Sequence, residues 1–443
     1  MKKNLNFIKA FVFGALVVGF SACDTDTPEP PKPPVQTGPN LVTGNITSNT
    51  TWTANKQYVL DGFVYVKDGA TLTIEPGTII KGDKQKKGSL IVERGAKIMA
   101  VGTKGKPIVF TSNLPKGQRA AGDWGGIIIL GKAPQNKPGE PVIEGEGTAK
   151  YGGDQPADNS GKLKYVRIEF AGVALATDNE INGLTMGGVG SGTEIDYVQV
   201  SYGGDDAFEW FGGTVNAKHL ISFRGVDDDF DTDQGYSGNV QYGLIIRDPK
   251  VADQAGDSNA FESDNDGTGT DATPQTSGKF ANITATIAAG TLDSKFNSAM
   301  RLRRNTRLSI YNSVFAAPYK VGVLLQNKSV ANYKNGTLVL QGIAIQGATK
   351  MFDGVDETIF NAAANKNKVY ADVAGLMLDA KFNSITERPV LLPKAGSPLL
   401  TGGVTLPAGF EPNTYIGAFG TTDWTAGWAN FDPQNTDYEV TTK

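Results

Sequence analysis

One short pattern of apolar and polar positions recurs through the middle of the chain. Its copies are Asp206-Ala207-Phe208-Glu209-Trp210-Phe211, Asp228-Asp229-Phe230-Asp231-Thr232-Asp233, Asn259-Ala260-Phe261-Glu262-Ser263-Asp264 and Ser298-Ala299-Met300-Arg301-Leu302-Arg303. Each alternates with period two, as a strand does. Stacking the copies puts Phe208, Phe230, Phe261 and Met300 on one face. The other face carries Glu209, Asp231, Glu262 and Arg301, flanked by Phe211, Asp233, Asp264 and Arg303. A second column interleaves with the first: Tyr165–Gly172, Tyr197–Gly204, His219–Gly225 and Tyr242–Arg247, then Phe280–Thr286, Leu308–Val314 and Leu338–Ile345. Val198 to Leu220 is 22 residues, and so is Phe208 to Phe230. A repeat of that length holding at least two strands predicts a parallel β-helix, an all-β solenoid whose coils stack like residues into one core. The longer gaps before Phe261 and Met300 predict loops at Lys250–Asp257 and Asp266–Lys279. Such insertions often line the binding face of a solenoid.

The solenoid is expected over residues 41–350. Its first part, 41–111, consists of short alternating runs too closely spaced for crossover helices. Beyond about residue 350 the repeat blurs. Residues 351–443 are expected to hold the terminal coils and a C-terminal cap, with a helix around Asp356–Lys366 and Trp424 and Trp428 in a segment that folds back. The 55 glycines among 443 residues suit many tight turns. A formal net charge of −4 gives no basic footprint, so nucleic acid is not expected as a partner.

Residues 1–22 read as a targeting segment: Lys2 and Lys3 precede the short apolar stretch Phe11–Phe20. The single cysteine, Cys23, follows Phe20-Ser21-Ala22. This resembles a bacterial lipoprotein lipobox, which implies lipidation of Cys23; an ordinary secretory signal is the alternative. No intramolecular disulfide is possible, so the core must hold the domain together. Residues 23–40 form an acidic and Pro-rich tether. Its Asp24-Thr25-Asp26 resembles the surface-export signal of some Gram-negative lipoproteins, implying the outer membrane and cell-surface exposure.

The outward ladder is the best candidate for chemistry. Like charges directly opposite one another on neighbouring strands are destabilising. Glu209, Asp231 and Glu262 therefore need compensation, and Asp229, Asp233 and Asp264 add to the need. A divalent cation, or the pair Arg301 and Arg303, would supply it; calcium is the hard cation suited to carboxylates from several strands. Glu262-Ser263-Asp264-Asn265-Asp266-Gly267 resembles the first half of an EF-hand loop and adds Asp266 as a ligand, although the twelfth position, Thr273, is not Glu. Phe211, beside Glu209 on the acidic face, is a candidate platform for a sugar ring, whereas Trp210 should point inward. His219, the sole histidine, lacks partners for zinc. The Gly-rich Gly187–Gly192 is followed by no helix, and no nucleophile elbow or P-loop is present.

Three phrases near the start, Thr71–Ile80 (TLTIEPGTII), Lys106–Ser112 (KPIVFTS) and Gly122–Ile127 (GDWGGI), are similar to the opening coils of bacterial right-handed parallel β-helix proteins. Ala395–Pro398 (AGSP) and Ile416–Phe419 (IGAF) resemble the closing phrases of right-handed β-helices of the pectate-lyase-like kind. That resemblance implies calcium held by Asp231, Asp233, Glu262 and Asp264 against uronate groups, with Arg301 or Arg303 as base. No family signature surrounds those arginines. The expectation is a lipid-anchored surface protein that binds extracellular polysaccharide with calcium through its acidic face. A polysaccharide lyase or hydrolase on the same face, and a non-catalytic adhesion or scaffold module of an outer-membrane complex, are the alternatives.

Overall fold

A computed structural model describes Pro39–Ala176 and Asn179–Glu439. The targeting segment, Cys23 and nearly all of the tether lie outside the described residues. Parallel strands stack in three ladders around one apolar column. The first ladder includes Leu184–Gly187, Phe208–Phe211, Phe230–Asp233, Phe261–Ser263 and Ser298–Leu302. Phe208 pairs with Phe230, Phe230 with Phe261, and Phe261 with Met300, so the alternation in the sequence gives the true register. All four side chains are fully buried, and Trp210 points inward with them. The all-β parallel β-helix is thus the observed fold.

The other two ladders share long strands. In Gly161–Glu169, Glu194–Ser201, Asn216–Phe223 and Asn239–Arg247, the first half pairs in one ladder and the second half in the other. The bend falls on Tyr165, Tyr197, His219 and Tyr242, each left-handed with φ between 51° and 66°. Bulky side chains adopt that conformation rarely, at a cost of about 1–3 kcal/mol. Their rings stack along the corner, with centroids 4.4 Å apart for Tyr165–Tyr197, 4.1 Å for Tyr197–His219 and 4.9 Å for His219–Tyr242. Stacking of this kind contributes roughly 0.5–1.5 kcal/mol per pair and offsets part of the strain. His219 is therefore a packing residue, with Nδ1 2.7 Å from Asp196 Oδ1.

The C-terminal end of the column is closed by the short helix Glu357–Phe360, N-capped by Asp356, within the predicted range. Phe360 is buried against Phe352, 4.6 Å between ring centroids. The tail beyond it does something else. Rather than covering the end, it runs back along the flank of the solenoid. Asn312 Nδ2 donates to Val404 O (2.9 Å), Glu411 N to Gln241 Oε1 (2.8 Å), and Asn430 N to Gln199 Oε1 (2.9 Å). Tyr438 donates to Glu169 Oε1 (2.7 Å), and Glu439 meets Lys81 (2.7 Å). Phe419, Trp428 and Phe431 cover Ile221, Phe223, Leu244 and Ile246. Those strands are apolar on both faces, and a two-sided strand needs a second cover.

Candidate metal centre

The acidic face is assembled by one turn used twice. Gly203-Gly204-Asp205-Asp206 and Gly225-Val226-Asp227-Asp228 precede successive strands of the first ladder, one coil apart. Gly204 is obligatory in its turn, since a Cβ there would lie 2.3 Å from Gly172 O. Asp206 Oδ1 accepts from Asp228 N (2.8 Å), Asp228 Oδ1 from Asn259 N (2.5 Å), and Asn259 Oδ1 from Ser298 N (3.0 Å). This ladder of side-chain acceptors ties each coil to the next and fixes the carboxylates beside the strands.

Two overlapping groups result. Asp205, Asp206 and Asp227 each offer an oxygen within 4.8 Å of the others, and so do Asp206, Glu209 and Asp231. Glu209 is directly opposite Asp231, and Asp231 opposite Glu262. Asn182 donates to Glu209. One oxygen of Asp227 and one of Asp231 are buried with no hydrogen-bond partner. Burial first, and then the neighbouring carboxylates, push the pKa values of Asp205, Asp206, Glu209, Asp228 and Asp231 well above the ordinary carboxylate range. Asp227 is pushed up to about 7 by burial, with Asp253 adding to the effect and Arg247 opposing it. The group cannot ionise together without positive charge.

The expected ligand set is corrected at several positions. Asp229, fully buried, pairs with the fully buried Arg247 (3.1 Å) and accepts from Ser222, so it serves the interior. Arg247 also donates to Asn259 O (2.8 Å) and Val226 O (2.9 Å), pinning the turn that carries Asp227 and Asp228. Glu262 is held by Arg301 (3.1 Å) and Arg303, and Asp264 by Arg303 (2.9 Å) and Arg304 (2.8 Å). Asp266 accepts from Thr268 N (2.9 Å) and Thr270 N (3.1 Å) and closes its own loop. Burial alone would raise its pKa, but the threonine bonds outweigh it and hold the value at about 2. Asp233 accepts from Gln234 N (2.6 Å) and lies outside both carboxylate groups. Of the expected metal ligands, only Asp231 lies in the cluster, joined by Glu209; Asp205, Asp206 and Asp227 are additions.

Two further expectations change. Phe211 is only 4 % exposed, covered by the loop of residues 131–160 through Tyr151 and Ile143, so it offers no face to a sugar. Arg303 makes a poor base: burial works to lower its pKa, but Glu262 and Asp264 outweigh burial and push it up. Arg301 is likewise committed to Glu262, and Asp257 lies 3.7 Å away. Trp124 is a core residue whose Nε1 donates to Glu169 O (2.8 Å).

The cluster does fit a hard divalent cation. Its donors are all carboxylate oxygens, suited to calcium or magnesium, whereas zinc sites are built mainly from Cys and His. The buried, unpartnered oxygens of Asp227 and Asp231 are the groups such an ion would satisfy.

Fold and face together define a parallel β-helix bearing a recessed carboxylate cluster on one outer flank. The chain matches the family described as the pectate-lyase like beta helix domain over residues 44–429, and it belongs to that family. No curated protein and no solved structure matches it.

Proposed function

We propose that the acidic face binds a divalent cation, calcium by the chemistry of its donors, and through it an acidic extracellular polysaccharide. The reading rests on the convergence of Asp206, Glu209 and Asp231 within 4.8 Å. Asp231 and Glu209 would hold the ion from adjacent strands, with Asp206 from the turn; Asp205 and Asp227 extend the site. Bound calcium would supply the charge that lets these carboxylates ionise together and leave coordination positions for a sugar carboxylate. Lipidation at Cys23 would place this face outside the cell, on the outer membrane.

Polysaccharide elimination is the weaker reading, because a base must release its proton and the salt bridges of Arg303 oppose that. The test is retention on immobilised polygalacturonate in calcium and in EDTA, with ultraviolet absorbance followed for unsaturated products. Calcium-dependent retention without new absorbance is the expected result, lost in Glu209→Gln/Asp231→Asn. Retention that is equal in EDTA would sink the proposal.

A further inference from the structure

The tail ends in a small hook, residues 430–439, held by groups from much earlier coils. Its shape is largely its own. Asn430 Nδ2 donates to Thr436 Oγ1 (2.9 Å) and to the Tyr438 hydroxyl (3.0 Å). Thr436 Oγ1 donates to Asp432 O (2.7 Å), and Asn435 Nδ2 to Asp432 Oδ1 (2.9 Å). A segment that makes its own turn loses little freedom when it docks.

The seat reads this hook through its main chain and one ring. Arg119, only 4 % exposed, donates from Nη1 to Pro433 O (2.8 Å) and Thr436 O (2.9 Å). Gly117 N donates to Gln434 O (2.8 Å), and Gln57 Nε2 to Tyr438 O (2.5 Å). The Tyr438 ring lies 4.9 Å from the guanidinium of Arg119 and 5.8 Å from that of Arg167, both within cation–π reach. Its hydroxyl donates to the buried Glu169 (2.7 Å). Charge matches as well. Lys81 meets Glu439 (2.7 Å), and Lys116 lies 3.9 Å from Asp437. Ahead of the hook, residues 429–431 run beside an open cavity of about 750 Å³. The hold on the early coils is therefore a separate contact from the cover that Phe419 and Trp428 make.

We propose that hook and seat are an exchangeable pair through which a second copy of this chain docks, the hook of one copy entering the seat of the other. Every contact is the same in trans as in cis, which is the condition for domain swapping. Only the covalent link to its own solenoid favours the closed monomer, as an effective concentration on the order of 1 mM. Crowded copies then exchange hooks. The inference needs no metal and does not rest on the acidic face.

The experiment uses the exported chain carrying Tyr438→Ala, which vacates the seat, and a fluorescent peptide of residues 428–439. By fluorescence anisotropy the peptide should bind this variant about tenfold or more tighter than the parent, whose own hook competes. The peptide carrying Tyr438→Ala should bind about tenfold or more weakly. Tyr438→Phe in the chain keeps the ring against the guanidiniums and removes only the bond to Glu169, so it should bind the peptide to an intermediate degree. Circular dichroism checks that both chain variants fold. Parent chains labelled separately with donor and acceptor dyes and mixed at ~0.5 mM should develop energy transfer that excess peptide suppresses. Absence of peptide binding to either variant overturns the proposal. So does binding indifferent to the tyrosine, or parent chains that develop no energy transfer.

Discussion

The coils of Phe208 and Phe230 and those of Phe261 and Met300 continue one ladder in one register, yet they treat negative charge in opposite ways. In the later pair, Glu262 and Asp264 are answered by Arg301, Arg303 and Arg304, so the charge is neutralised inside the protein. In the earlier pair, Glu209 and Asp231 face each other with Asp206 beside them; among the described residues no arginine lies within salt-bridge distance, and Arg303 acts on Asp231 only from further off. The strand pairing is the same, but the coils ending at Phe261 and Met300 are 31 and 39 residues long against 22 for the one ending at Phe230, and the outward residues differ. The contrast shows that a stacked acidic ladder is compatible with this fold when its counter-charge is built in. Where it is not built in, burial and the neighbouring carboxylates push the pKa values of Glu209 and Asp231 well up.

Removing the built-in counter-charge should have the largest effect. Arg303→Ala leaves Glu262 and Asp264 short of a partner in a mostly buried setting. A loss of about 3 kcal/mol is expected, at the low end for breaking a buried pair, read from urea denaturation in EDTA. Calcium should then recover part of the loss, making the later coils behave like the earlier ones. A variant as stable as the parent would mean that the contrast has no energetic content.

Supplying counter-charge to the earlier coils comes next. Calcium at 100 times its dissociation constant should stabilise the parent by about 2.7 kcal/mol. Thermal denaturation would show that as a rise of roughly 3 °C. Glu209→Gln/Asp231→Asn should abolish the rise, and Asp229→Asn, which alters the interior pair with Arg247, should not. A calcium response unchanged in Glu209→Gln/Asp231→Asn would place the ion elsewhere.

The pH response sharpens the same difference. Burial holds the Asp227 pKa at about 7 in the folded protein, against an ordinary 3.8. The folded state therefore binds that proton more tightly than the unfolded chain. Its contribution is complete below pH ~4 and disappears as the pH rises through 7. Melting temperatures in EDTA should accordingly fall between pH 5 and pH 8 (~3 units spanning that midpoint). Calcium favours the ionised cluster, so the gap between the calcium and EDTA curves should widen over the same interval. A constant gap would detach the ion from these carboxylates.

The smallest effect is expected at the rim. Asp257 is 41 % exposed and 3.7 Å from Arg301. Asp257→Asn should change stability by less than about 0.5 kcal/mol and leave the calcium response intact. A large change would mean that exposed charge, not the recessed group, sets the behaviour of the face.

Much of this was visible in the chain itself. Period-two alternation and the 22-residue spacing placed Phe208, Phe230, Phe261 and Met300 in one buried row, because a coil can only stack like residue on like. The same pattern paired Glu209 with Asp231. It could not find Asp205 and Asp227, which stand in turns where alternation stops. Asp229 looked like part of the acidic face because its partner, Arg247, lies in a different ladder, a contact no local pattern encodes. Phe211 looked free because residues 131–160, which cover it, carry no repeat. The course of the tail did leave a signal. Leu220-Ile221 and Leu244-Ile245-Ile246 are apolar at successive positions, the mark of strands covered on both sides.

That tail also bears on how the molecule is made. A solenoid contacts only its neighbours and can assemble coil by coil from either end. Here residues near 438 bind partners near 57 and 169, so a segment made late closes on coils laid down earlier. Contacts of such sequence separation slow folding. The clasp shuts only once the residues near 438 have been made.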